Sequence, residues 1–144
     1  MSVKTVNITF SKLGNIKLNL LEVNGELEML SAGYFLQRYD SGSKPNTIKK
    51  DTQAIQHFYR FCIKSGINIH RLISSQSPFS MGQIESYSVF CSIDVKTGEQ
   101  IGHKHYEQRM RISWAFIKWL WLFYQNRTKN ELDKLKAAKM QFSG

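Results

Sequence analysis

Apolar residues alternate with polar ones over the first two dozen positions, and then the step changes. Val6, Ile8 and Phe10 recur at every second residue, as do Ile16, Leu18 and Leu20, with Gly14 and Asn15 between the two runs. A period of two belongs to a strand with one buried face, and a Gly-Asn break between two such runs marks a hairpin. Val23-Asn24-Gly25-Glu26 supplies a second turn. Residues 1–26 therefore read as an N-terminal β-hairpin.

From Leu27 the spacing lengthens to three and four. Leu27, Leu30, Tyr34 and Phe35 predict a first helix that ends before the Gly-, Ser- and Pro-containing loop at 40–45. Pro45 and Asn46 stand where a helix begins. The second helix covers about 46–64, with Ile48, Thr52, Ile55, Phe58, Tyr59 and Cys62 along one side and Gly66 as its stop. The stretch from Ile67 reads as a connector with room for a short turn. A third helix at about 80–93 points Ile84, Tyr87, Phe90 and Cys91 inward, and a turn-rich loop leads to a fourth at about 103–126. The end, 128–144, reads as a linker-like tail, in which Leu132 and Leu135 allow a short, weakly amphipathic helix. The predicted fold is mainly α: a four-helix bundle over 27–127, with the hairpin covering one side.

Apolar residues make up 42% of the 144-residue chain and aromatics 12%, enough for a packed core and too much for a disordered chain. The longest apolar run, Trp114 to Tyr124, is interrupted by Lys118 and falls well short of the roughly 20 residues that cross a bilayer. The first ten residues lack an apolar leader segment. No membrane partner is expected, and the expected location is the cytoplasm, in association with the nucleoid. Cys62 and Cys91 lie in apolar periodic segments beside Phe61 and Phe90, and are expected to be buried, reduced thiols. His103 and His105 would diverge by about 200° on a helix, so they do not share a metal. With no zincin motif and no Gly-rich phosphate loop, neither metal nor cofactor is expected.

Charge changes the picture most. The net charge is +9, which favours a polyanionic partner. From Lys44 to Arg71 there are six Lys or Arg against Asp51, and from His103 to Arg127 five against Glu107. On the second helix Lys49, Lys50, Gln53, His57, Arg60 and Lys64 lie opposite the apolar side; on the fourth, Lys104, Arg111 and Lys118 recur every seventh residue with Gln108 at their edge. Like charges so close repel one another, and nucleic-acid phosphates supply counter-charges. The competing reading is a plain solvated face, against which the interleaved Asn46, Thr47, Gln53, His57 and Gln108 weigh, since short polar groups can donate to phosphates or read base edges. Lys44, Lys49, Lys50, Arg60, Lys104 and Arg111 are the candidate phosphate contacts, and Asn46, Thr47, Gln53, His57 and Gln108 the candidate groove contacts. Arg109 falls nearer the core side. The run Trp119 to Tyr124 is apolar all round, so it must be wrapped, for instance by the hairpin, or meet a partner.

Asn46-Thr47-Ile48-Lys49-Lys50-Asp51 and the helix it opens resemble the second helix of the core-binding, SAM-like N-terminal domain of tyrosine recombinases and phage integrases. There an Asn-Thr-Leu-like triplet leads into an aromatic, basic, basic, Asp, apolar sequence; here Ile48 stands for Leu, and the aromatic-basic order is shifted. Phe116-Ile117-Lys118-Trp119-Leu120 is similar to the apolar aromatic run closing the last helix of that domain. The resemblance covers about residues 30–127 and leaves the hairpin outside. It implies a domain that forms half of a C-shaped clamp on double-stranded DNA, with the second and fourth helices at the major groove and other recombinase protomers on the same DNA. It also implies that strand cleavage, by a Tyr nucleophile with an Arg, His-x-x-Arg set, belongs to a separate domain, towards which 128–144 would lead. His57-Phe58-Tyr59-Arg60 spells His-x-x-Arg, but on the helix assigned to DNA contact. No catalytic residue is expected in this chain. Two other readings are a protein-interaction module using the Trp-rich fourth helix and a small enzyme using His57.

Overall fold

The computed structural model describes residues 2–75 and 79–143, with side chains described as far as Gln125. Strands β1 (Val3–Phe10) and β2 (Ile16–Val23) pair antiparallel, Val3 opposite Val23 and Phe10 opposite Ile16. Gly14 (φ +79°) and Asn15 (φ +60°) turn the chain between them. At the second turn Asn24 (φ +52°) and Gly25 (φ +83°) are both left-handed, as a two-residue hairpin turn of mirror type requires. It returns the chain as a two-residue strand β3 (Glu26–Leu27), so the expected hairpin is a three-stranded sheet in the order β1-β2-β3.

Among the described residues five α-helices follow: α1 (Met29–Asp40), α2 (Pro45–Lys64), α3 (Ile69–Ser74), α4 (Met81–Cys91) and α5 (His103–Ser143). The connector predicted after Ile67 thus holds α3, capped by Asn68, whose side chain accepts from the Arg71 N–H. Residues 76–78 of that connector lie outside the described residues. The tail set apart at 128 continues α5 to Ser143 without a break; the amphipathic pattern through Leu132 and Leu135 lies outside the described side chains. The protein is mainly helical with an N-terminal antiparallel sheet.

The core forms because α2 is buried on one side along its whole length. Ile48, Thr52, Ile55, Phe58, Tyr59 and Cys62 are all buried, and the helix lies between the sheet and α5. β2 is the strand it covers, which is why Leu18, Leu20 and Leu21 are fully buried while Ile8, Phe10 and Ile16 are partly so. The Thr52 hydroxyl lies 2.6 Å from the Asn19 carbonyl oxygen and 2.8 Å from that of Ile48, pinning helix to strand. From α5, Phe116 enters against Tyr34 and Tyr59, with ring centroids 5.3 and 6.1 Å apart. Trp119 packs on Tyr34 at 5.5 Å and donates its indole N–H to Gln37. The aromatic run is therefore covered on one side only: Trp119 packs on α1 and Leu120 is fully buried, while Leu122 and Phe123 stay exposed.

Glu28 joins the sheet to the helices. Its carboxylate caps α1, accepting from the Ser31 N–H at 2.7 Å and the Leu30 N–H at 3.3 Å, and lies 3.1 Å from His70 Nε2 of α3. Burial alone would raise its pKa, but the hydrogen bonds from His70 and Ser31 outweigh it and hold the carboxyl at about 2.

Candidate nucleic-acid interface

The start of α2 carries the densest set of predicted contacts. Lys44, Asn46, Thr47, Lys49, Lys50 and Gln53 are all exposed. Pro45 fixes the first turn, and no side chain caps the N-terminus, so the N–H groups of its first turn point outward beside three lysines. A helix N-terminus of this kind attracts phosphate through its N–H groups and dipole. Asp51, the single acid of this helix, is turned inward: its Oδ2 accepts from Arg38 Nε at 3.1 Å and Nη2 at 2.9 Å, and the residue is 4% exposed. The lysine stripe is therefore not neutralised from within its own helix.

His57 is corrected. On the helix it falls within the cationic stripe, but in the fold it is 6% exposed. Its ring stacks on Phe90 of α4 at 4.3 Å, and Nε2–H donates to the Phe90 carbonyl at 3.2 Å. Burial and then the Arg109 charge lower its pKa to about 4, against the hydrogen bond to Phe90, which acts the other way. A neutral, covered imidazole can neither read a groove nor act at the surface as an acid or base. Arg60 is exposed, but Nη2 donates to the Val3 carbonyl at 3.2 Å, alongside Gln56 Nε2 at 2.9 Å. It has an anchoring task at the start of β1 as well as a charge.

On α5, Lys104 and Arg111 are exposed and Gln108 is half-buried. Ile112, Phe116 and Leu120 point into the core, which places Lys104, Arg111 and Lys118 about 120–160° around the helix from Phe116, the residue that meets α2. On α2 the stripe from Asn46 to Gln53 likewise lies about 80–180° from Tyr59, the partner of Phe116. Both stripes therefore lie off the Tyr59–Phe116 contact itself. What comes together is the start of α5 and the middle of α2, since Arg109, Arg60 and His105 all act electrostatically on His57. Arg109 Nη1 donates to the Cys91 and Ile93 carbonyls at 3.0 and 3.2 Å, closing the end of α4, where a cation suits the helix dipole. His105 belongs to this basic neighbourhood but not to the predicted set; only the packing of α5 on α2 brings it there.

Cys62 and Cys91 are free and buried, with their thiols pushed up to about 12 and about 11 by burial. Among the described residues, no three His, Cys, Asp or Glu side chains cluster as a metal site would require, and no helix is long and apolar enough to cross a membrane. Comparison of the chain with protein-family models, with curated proteins and with solved structures finds no match in any of the three.

Proposed function

We propose that this chain is the DNA-holding, core-binding domain of a site-specific tyrosine recombinase, a SAM-like helical bundle that clamps duplex DNA while a separate catalytic domain cuts and rejoins the strands. The observation that carries the reading is the uncapped start of α2, where Lys44, Lys49 and Lys50 surround outward N–H groups and Asp51 is withdrawn to Arg38. The Asn-Thr-Ile-Lys-Lys-Asp resemblance falls on the same turn and supplies the recombinase part of the proposal. Lys44, Lys49 and Lys50 hold phosphates; Asn46, Thr47 and Gln53 face the groove; Arg60, Lys104 and Arg111 add charge at the margins. The catalytic chemistry is assigned to no residue of this chain, since His57 of the His-x-x-Arg spelling is buried under Phe90.

The test is a fluorescence titration with duplex DNA at several salt concentrations. Lys49→Ala with Lys50→Ala should weaken binding to every sequence alike, and Gln53→Ala should relax sequence preference. Affinity that is independent of both salt and the lysines would refute the reading.

A further inference from the structure

Between α4 and α5 runs an apolar groove of about 530 Å³ that the DNA reading leaves unused. Phe58 and Phe61 of α2 form its base, Ile84 one wall, and Trp114, Trp121 and Leu122 the other. Trp114 is 62% exposed, Leu122 54% and Ile84 46%, a concentration of apolar surface that a chain without a use for it would bury or lose. On α5 the groove extends from Met110 to Leu122, about 18 Å or three helical turns, more than the about 10 Å between anchors at i and i+7 of an amphipathic helix.

Charge decides the occupant. Lys118 lines the groove, one turn from Trp114, Trp121 and Leu122, and Arg111 sits one turn before Trp114 on the same basic stripe. Among the described residues, no Asp or Glu lines the groove. We propose that this groove binds an acidic amphipathic helix of another protein, with its apolar side chains on Phe58 and Phe61 and its carboxylates along Lys118 and Arg111. A second copy of this chain fits poorly, because it carries +9 and would bring cations to cations. A bilayer fits poorly as well: its flat surface could meet Trp114 and Leu122 but not the base of a concave groove.

The test uses the full chain and a panel of fluorescein-labelled, 16-residue-scale peptides, rich in Glu, with Leu or Phe at helical i, i+4, i+7 spacing. Shuffled peptides of the same composition, phosphatidylglycerol vesicles and sedimentation velocity serve as comparisons. The ordered peptides should bind in the micromolar range and gain helicity on binding. Trp114→Ser with Leu122→Ser, both at exposed positions and checked for folding by circular dichroism, should weaken binding about tenfold or more. Lys118→Glu should weaken it several-fold, and less so at high salt. DNA affinity should be unchanged in the Trp114→Ser, Leu122→Ser variant, so failure here is separable from failure of the DNA reading. Equal binding of shuffled peptides, or no binding by any ordered one, would overturn the proposal. So would preferential, Trp114-dependent binding to vesicles, or self-association abolished by Trp114→Ser.

Discussion

If phosphates are held by the outward face of α2, replacing Lys49 and Lys50 by alanine has a magnitude that the structure fixes. Lys44, Lys49 and Lys50 are exposed on this face, and Arg60 follows nearly three turns further on. A duplex lying on α2 alone meets about four cations, and log K against log salt should then have a slope near −3.6, at about −0.9 per phosphate. A duplex spanning both stripes would meet about six, with a slope near −5.4. Removing two contacts should flatten the slope by about 1.8 and cost about sixtyfold in affinity near 0.1 M salt. Fluorescence anisotropy with a labelled duplex, measured from about 50 to 200 mM salt, reads both quantities. Lys104→Ala with Arg111→Ala, at the margins of the interface, should flatten the slope by less than the α2 pair does. The reasoning fails if the α2 pair alters neither slope nor affinity, or if the α5 pair changes the slope as much as the α2 pair does.

Other consequences concern the scaffold that presents this face. His57 has its pKa depressed from 6.5 to about 4, so the unfolded chain takes up its proton first as the pH falls. Its contribution, about 3 kcal/mol by linkage, is present above pH 6.5 and lost as the pH falls towards 4; urea unfolding of His57→Gln should show a flatter profile across that window. Glu28, lowered from 4.5 to about 2, shifts the same behaviour to the window from pH 4.5 down to 2, and Glu28→Gln should flatten the profile there instead. Phe116 is fully buried between Tyr34 and Tyr59, and Phe116→Ala should cost about 3–5 kcal/mol in chemical denaturation, with a correspondingly lower Tm. Asp51→Ala should destabilise the fold by about 2 kcal/mol, because Arg38 loses its partner, yet DNA affinity at matched folded fraction should not fall, since Asp51 is not on the lysine face.

Much of the fold was legible because its signals are local. Alternation with Gly-Asn and Asn-Gly turns specified β1 and β2, and the apolar arc of α2 is the side that is buried. Helix α3 also had a local signal, an Asn cap at 68 before Ile69 and Ile73 four apart, but six residues are too few for a period to stand out. β3 is two residues long and is defined by its partner rather than by any pattern of its own. The run of α5 through 128 carried a contrary signal, since the charged tail lacks the aromatic density of the preceding turns.

The site was less legible for a different reason. A helical wheel orients each residue about its own axis and says nothing about which neighbour covers which part of the outward side. Asn46, Lys49 and Gln53 keep their solvent because, among the described residues, nothing covers them at the first turns of α2. His57, at a similar angle, loses it because α4 arrives there with Phe90, 33 residues later in the chain. The same limit applies to the pair of stripes. Each helix turns its cations away from its own core, and a wheel drawn for one helix does not say where the cations of the other lie. Lys118, for example, lines the aromatic groove beside Trp114. One basic composition thus leaves cations on two surfaces, the start of α2 and the edge of the groove beside α5.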